Sequence, residues 1–182
     1  MRICVTNRHL CQGDFFSRVE RIARSGPWAI ILREKDLQDD AYEEMAKRCL
    51  EIASHYGVPL IVHTKFQVAK RLGVCRIHMP YASFQENPDA LASFEAVGVS
   101  VLTVEEAIAA ESAGAAYLIA GHVFATDCKR DLEPRGLDFL KSVCAAVEIP
   151  VYAIGGVTEK NYSSVRLAGA SGFCIMSGCM RD

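Results

Sequence analysis

The sequence lacks the features that would place it in a membrane or on a nucleic acid. No apolar run reaches the roughly 18 residues that a membrane-spanning helix requires. The N-terminus, which reads MRICVTN, has no long apolar stretch of the kind found in a signal peptide. Basic residues are not in excess, because 20 lysines and arginines face 22 aspartates and glutamates, whereas nucleic-acid binding needs a basic face. We therefore expect a soluble, cytoplasmic protein with no membrane and no nucleic-acid partner.

Also lacking is any Cys-x-x-Cys motif, although the chain contains eight cysteines. Most cysteines have apolar neighbours, as Cys4, Cys144 and Cys174 do, and free cysteine in such surroundings behaves as a small buried hydrophobe. The reducing cytosol disfavours disulfides. We therefore expect reduced thiols in the core rather than a disulfide framework.

With 182 residues, 51% of them hydrophobic, the chain can form one domain with a sizeable core. Short apolar runs alternate with stretches of helical periodicity, which is typical of strands buried in a parallel sheet. The eight apolar runs are 3–5, 29–32, 60–62, 76–78, 99–102, 117–120, 151–154 and 173–176. The helical patterns cover 41–56, 105–113, 136–147 and 158–167, and 87–96 is expected to form only a stub of a helix.

Alternation of strand and helix predicts an α/β fold with a parallel sheet, and eight units favour closure into a (β/α)8 TIM barrel. The chain is short for that fold, which typically has about 250 residues. We therefore expect a short version that spans residues 1–182 as a single domain. An open doubly wound sheet is the alternative, but it would need a glycine-rich turn where this chain has Thr6-Asn7-Arg8-His9.

Polar residues gather at the predicted carboxyl ends of the strands, where barrel enzymes build their sites. Gly155-Gly156 follows strand 7, and Ser177-Gly178 follows strand 8. Glycine lets backbone N–H groups approach an anion, and the loops after these two strands are the usual phosphate site of the architecture. We interpret both loops as a phosphate site, the alternative being that the glycines only serve tight turns.

Three more residues at strand ends are candidates for proton transfer and binding. His122 follows apolar strand 6 and can take and return a proton near neutral pH, although a hydrogen-bonded core histidine is the alternative. Arg33 and Lys35 are two residues apart after strand 2, so both can point into the barrel mouth and meet an anion. The alternative there is an ordinary charged loop in which Glu34 and Asp36 neutralise the two basic residues.

Several segments resemble the thiamine phosphate synthase superfamily, and the resemblance runs over nearly the whole chain. These segments are 32–37 (LREKDL), 98–101 (GVSV), 153–158 (AIGGVT) and 176–178 (MSG). Within the superfamily, 121–129 (GHVFATDCK) followed by Pro134-Arg135-Gly136 resembles the thiazole tautomerase (TenI) branch. This last motif is long and far more specific than the glycine pairs.

The resemblance implies a role in thiamine biosynthesis. Tautomerases of this branch isomerise a carboxy-methyl-thiazolylidene ethyl phosphate to the aromatic carboxythiazole ethyl phosphate, without a metal or a redox cofactor. It also implies that His122 is the catalytic acid and base, that the two glycine loops hold the phosphate, and that Arg33 and Lys35 face the ring carboxylate or the phosphate. Further substrate contacts are expected from His63, Ser100 and Lys129.

The chain departs from the synthases of the superfamily at strands 3 and 4. Synthases carry an Asn-Asp pair at the end of strand 3 and an Asp after strand 4, which support Mg²⁺ and the pyrophosphate of the pyrimidine substrate. Here the corresponding stretches read His63-Thr64 and, after His78, 79–83 (MPYAS), with no carboxylate, so no metal site is expected.

The sequence is therefore interpreted as an isomerase that acts on a phosphorylated thiazole carboxylate and uses no cofactor. Thiamine phosphate synthase and a non-catalytic regulatory protein that binds thiamine-pathway metabolites are the alternatives. Short barrels often cover apolar helix faces in dimers, so a homo-oligomer is one alternative for the assembly of this chain.

Overall fold

A computed structural model of the chain describes residues 1–88, 92–126, 132–158 and 160–181. Eight strands form a closed barrel, in which each strand pairs in parallel with the next and the last strand pairs with the first. They are β1 (Arg2–Val5), β2 (Ala29–Leu32), β3 (Leu60–His63), β4 (Arg76–Pro80), β5 (Ala96–Val101), β6 (Tyr117–Gly121), β7 (Val151–Ile154) and β8 (Gly172–Ile175). The predicted (β/α)8 barrel is confirmed.

Helices in the described part of the chain follow the strands and pack outside the barrel. They are α1 (Phe15–Arg24), α2 (Asp39–His55), α3 (Phe66–Arg71), α4 (Tyr81–Glu86), α5 (Val104–Ser112), α6 (Gly136–Ala146), α7 (Tyr162–Leu167) and α8 (Ser177–Met180). A 3-10 turn covers Arg8–Leu10. Several of the helices have only one or two turns, and because these helices are short, a complete barrel closes within 182 residues.

The segment between β4 and β5 differs from the sequence prediction. The strand begins at Ala96 rather than Val99, because Gly98 already pairs with His78 of β4. Helix α4 precedes the stub predicted at 87–96, since Phe84 is the apolar side chain that anchors this segment to the core. Residues 89–91 of the stub lie outside the described residues.

Two apolar layers hold the barrel together. Side chains alternate along each strand, so one set points into the barrel and the other packs against the helices. Tyr117 and Tyr152 fill the interior, and Trp28 covers its amino end, with the Trp28 and Tyr152 rings stacked at 5.5 Å between centroids. Towards the carboxyl ends of the strands the inward positions become polar, at Arg33, His63, His78 and Ser100.

Two expectations about the whole chain can be compared with the described residues. Their seven cysteines are free thiols, and the eighth, Cys128, lies outside the described part. Among the described helices, none has both the length and the apolar character needed to cross a bilayer.

Candidate functional site

The candidate site is the mouth of the barrel, defined here as the carboxyl ends of the eight strands and the segments that follow them. Two clusters of residues face it. One cluster lies at β6 to β8 and contains His122, Gly155, Gly156, Ser177 and Gly178. The other lies at β2 to β5 and contains Arg33, Lys35, His63 and Ser100. Lys129, the remaining candidate, falls outside the described residues.

His122 comes directly after β6 and is 5% exposed. Its Nε2–H donates to the carbonyl oxygen of Leu132 at 3.2 Å, since a carbonyl can only accept. In the neutral ring this bond leaves the lone pair on Nδ1, which makes no hydrogen bond with a described residue. The residue thus has the burial and the hydrogen bond of a core histidine, together with one basic nitrogen available for proton transfer.

Gly155 and Gly156 follow β7 with φ angles of 94° and 63°. A Cβ on Gly155 would lie 2.3 Å from the Cβ of His122, and a Cβ on Gly156 would lie 2.5 Å from the carbonyl oxygen of Ala125. Both glycines are therefore required by backbone conformation and by close packing against the segment after β6. The sequence interpretation considered only phosphate binding or tight turns, and contact with His122 is a third reason for glycine here.

The backbone N–H groups at the ends of β7 and β8 that donate to no described residue include those of Gly156, Ser177 and Gly178. Backbone N–H groups in folded proteins are nearly always paired with protein or water. Unpaired N–H groups at the ends of adjacent barrel strands can bind an anion. The phosphate site stays a prediction, and these three donors are the groups that would form it.

Arg8 binds the acidic residues of the segment after β2. Glu34 is 2% exposed and accepts from Thr6 Oγ1–H at 2.7 Å and from the Arg8 backbone N–H at 3.1 Å. The Arg8 guanidinium reaches Glu34 at 3.2 Å and Asp36 at 2.6 Å, and it holds the pKa of Asp36 well below its usual range. The sequence alternative had paired these acids with Arg33 and Lys35, but the structure pairs them with Arg8.

Arg33 and Lys35 lie close enough to His63 to affect its ionisation. Burial, reinforced by the charges of Arg33 and then Lys35, lowers the pKa of His63 to about 3, so its ring is neutral at neutral pH. Arg33 is half-buried, and its guanidinium makes no hydrogen bond or ion pair with a described residue. This positive cluster would favour an anionic group of a ligand.

A buried hydrogen-bonded chain lies below this cluster. Sequence reasoning expected its member Ser100 to contact the substrate but did not predict the chain itself. His78 Nδ1 is 3.2 Å from the Tyr117 hydroxyl, and His78 Nε2 is 2.8 Å from Ser100 Oγ. Gly98 makes the arrangement possible, because a Cβ there would lie 2.0 Å from Cζ of Tyr117. A glycine inside a strand was the available signal, since it often marks the close approach of another group.

The ends of β3 and β4 do not fit Mg²⁺, which takes oxygen ligands. Strand β3 ends in His63, residues 79–83 at the end of β4 and after it include no carboxylate, and Glu34 and Asp36 are bound to Arg8. No cluster of three or more His, Cys, Asp or Glu side chains that could hold a metal ion occurs in the part of the chain described.

Fold and mouth together define a class, the (β/α)8 barrels that carry a polar site at the carboxyl ends of their strands. The chain belongs to the thiamine monophosphate synthase (TMP-TENI) family, whose family model matches residues 3–179. The predicted superfamily is thereby confirmed, and the chain is placed in thiamine biosynthesis.

Individual relatives have synthase names. The chain is 33% identical to thiamine-phosphate synthase 2 of Streptococcus pneumoniae, over 97% of this chain and 86% of the relative. It is 31% identical to the thiamine-phosphate synthase of Clostridium acetobutylicum, over 97% of this chain and 85% of that protein. A solved thiamine phosphate pyrophosphorylase from Pyrococcus furiosus superposes with a TM-score of 0.84 at 27% identity, over 100% of this chain and 87% of that one. These names support the synthase alternative better than the tautomerase interpretation.

Proposed function

We propose that this protein is a thiazole tautomerase, which converts the non-aromatic carboxy-methyl-thiazolylidene ethyl phosphate to the aromatic carboxythiazole ethyl phosphate. The observation that carries the proposal lies at the two strand ends where a magnesium pyrophosphate would need carboxylates. Strand β3 ends in His63, whose ring is neutral, and the stretch 79–83 that ends β4 and follows it contains no carboxylate. Membership of the family and the candidate anion-binding groups of the mouth support the proposal, and the described residues at these strand ends supply no carboxylate for a magnesium pyrophosphate.

The proposed reaction needs only a proton carrier. The C–H bond at the ring carbon that bears the carboxylate breaks, its electron pair enters the ring, and the exocyclic ylidene carbon gains a proton. Atoms and electrons balance without an oxidant, and aromatisation of the ring supplies the driving force. His122 Nδ1 would accept the proton and return it to the exocyclic carbon, provided that both carbons present the same face.

The two clusters of the mouth suit the two ends of this substrate. The phosphate would receive hydrogen bonds from the N–H groups of Gly156, Ser177 and Gly178. The carboxylate would lie across the barrel, against Arg33, whose charge adds to burial in lowering the pKa of His63. Lys35 and Lys129 are proposed as further contacts to the anionic groups.

The proposal is tested by following ultraviolet absorbance as the ring becomes aromatic, with wild type and His122→Ala. Loss of an acid–base group lowers a rate typically by about 10²–10⁴-fold. We expect a loss in that range, with product binding retained. A variant that isomerises the substrate at the wild-type rate would remove His122 from the mechanism.

His122→Gln is the matched control, since its side-chain amide can still donate to the Leu132 carbonyl but has no basic nitrogen. We expect it to fold and bind product like wild type and to be as slow as the alanine variant. A fast glutamine variant would show that His122 acts through structure alone.

Thiamine phosphate synthase is the second candidate, because the relatives described above have that name. It is tested by mixing the protein with aminopyrimidine pyrophosphate, thiazole phosphate and Mg²⁺ and measuring pyrophosphate release. Release at a catalytic rate would favour the synthase and overturn the tautomerase proposal. Product binding without either reaction would favour the regulatory alternative.

A further inference from the structure

His78 is a buried polar residue to which the proposed reaction gives no part. It is 2% exposed, lies inside the barrel beneath the mouth, and has a hydroxyl group at each ring nitrogen. Burial, with a smaller effect of neighbouring His63, lowers its pKa well below the usual range. The ring is therefore neutral, and a neutral imidazole has one N–H donor and one acceptor nitrogen. One neighbouring hydroxyl must donate to the ring, and the other must accept from it.

The surroundings of the two hydroxyls decide which one donates. Tyr117 is 4% exposed, and the acceptor its hydroxyl has among the described residues within ordinary hydrogen-bond geometry is His78 Nδ1. A buried hydroxyl proton needs an acceptor, so Tyr117 donates to Nδ1. The His78 Nε2–H then donates to Ser100 Oγ at 2.8 Å. Ser100 is only half-buried, so its own proton can be directed away from the ring.

The proton of the Ser100 hydroxyl is then directed towards the mouth. Ser100 points into the barrel because it is in register with Pro80 and two residues beyond Gly98, which pairs with inward-facing His78. It lies on the side of the barrel that holds His63 and Arg33, where the proposed function puts the carboxylate. A serine whose oxygen already accepts from a histidine presents its hydroxyl group as a donor.

We propose that His78 is a positioning residue, which with Tyr117 fixes Ser100 as a hydrogen-bond donor to the carboxylate of the bound ligand. The proposal rests on the proposed function for the identity of the ligand. The direction of the two hydrogen bonds, from Tyr117 to His78 and from His78 to Ser100, is a property of the free protein and needs no ligand. His78 thus acts on specificity for an anion rather than on proton transfer.

The first test measures the tautomer of His78 in the free protein by long-range ¹H–¹⁵N correlation of the histidine rings. We expect the Nε2–H form in wild type. In Tyr117→Phe, which keeps the aromatic ring but removes the donor, we expect the Nδ1–H form to become populated as well. An Nδ1–H tautomer in wild type would overturn the proposal, whether or not the protein isomerises any substrate.

The second test measures binding of the aromatic carboxythiazole ethyl phosphate by calorimetry. A hydrogen bond to a charged group changes affinity by about 10–150-fold, so Ser100→Ala and His78→Leu should weaken binding within that range. His78→Gln, whose amide can replace Nε2–H, should retain most of the affinity. KM should change in parallel with affinity, and kcat should change little.

A double-mutant cycle distinguishes positioning from a general structural effect. Since His78 acts through Ser100, adding Tyr117→Phe to Ser100→Ala should cause no further loss of product affinity. Independent, additive losses would overturn the proposal. If wild type binds product with the expected pattern but does not isomerise the precursor, the proposed function fails and the positioning role stands. If wild type isomerises the precursor and the Ser100 and His78 variants bind product as tightly as wild type, the positioning role fails and the proposed function stands.

Discussion

At the scale of single residues, the mouth contains histidines with different environments. His122 has one nitrogen bonded to a backbone carbonyl and the other without a described partner, which is an arrangement suited to carrying a proton. His63 is neutral because it is buried beside two positive side chains, so it is suited to hydrogen bonding. Neighbouring positions of one barrel thus give the same side chain different chemistry.

The lowered pKa of His63 predicts how stability depends on pH. The unfolded residue takes up a proton near pH 6.5, whereas the folded residue does so only near pH 3, so protons bind preferentially to the unfolded chain between these values. The stability is complete above about pH 6.5 and falls as the pH is lowered towards 3. For one such histidine the slope is at most about 1.4 kcal/mol per pH unit, and His78 adds in the same direction.

Urea denaturation of wild type and His63→Asn at several pH values between 7.5 and 4.5 measures this slope. We expect a shallower decline of the free energy of unfolding in the variant. His55→Asn is the control, because His55 is an exposed residue at the end of α2. Identical slopes for wild type and His63→Asn would show that His63 does not take part.

At the scale of elements, the segments after β6 and β7 form one packed unit. The backbone N–H groups of Val123 and Phe124 donate to the carbonyl oxygens of Ile154 and Gly155 at 2.9 and 3.0 Å. These bonds continue the pairing of β6 and β7 beyond the strands and bring Gly155 against His122. The position of the proposed catalytic ring is therefore set by a neighbouring loop.

Gly155→Ala tests this contact. The new Cβ would meet the Cβ of His122 at 2.3 Å, and alanine at a φ of 94° is strained as well. Left-handed strain and overpacking together cost roughly 2–5 kcal/mol, and we expect the isomerisation rate to fall with the displacement of His122. Urea denaturation and the absorbance assay measure the two effects.

Gly57→Ala is the matched control, since Gly57 has a φ of 67° and open space around its Cβ position. It should lose only the strain of about 1–2 kcal/mol and keep the wild-type rate. Equal losses of stability and rate in both variants would contradict the proposed contact.

At the scale of the whole molecule, the barrel is closed, and its activity depends on the residues at the mouth. Family membership extends from residue 3 to residue 179, so the fold by itself does not separate a synthase from a tautomerase. By our proposal, a tautomerase differs from a synthase at the end of β3 and after β4, where this chain has His63 and, over 79–83, no carboxylate.

This difference predicts that catalysis does not depend on Mg²⁺. Because the described residues at these strand ends supply no carboxylate, we expect the isomerisation rate to be the same with EDTA as with added Mg²⁺. The absorbance assay measures both rates on the same preparation. A rate that disappears with EDTA and returns with Mg²⁺ would show that oxygen ligands for a metal do exist in the protein.

Much of the fold could be predicted from the sequence because buried parallel strands and their helices have strong local patterns. The bounds of seven of the eight predicted strands lie within two residues of the observed bounds. Strand β5 begins further from its predicted start, because Gly98 interrupts the apolar run there. Candidate site residues at strand ends could also be proposed from the sequence, because the carboxyl ends of parallel strands meet at one mouth.

The sequence by itself determined the alternation of strand and helix, hence the barrel, and it predicted which polar side chains reach the mouth. Only the tertiary structure decided how those side chains are paired. Arg8 binds Glu34 and Asp36 from a distant segment, and Tyr117 reaches His78 across a glycine. The physical reason is that hydrogen bonds, burial and the resulting pKa shifts depend on contacts between strands, and local periodicity contains no record of them.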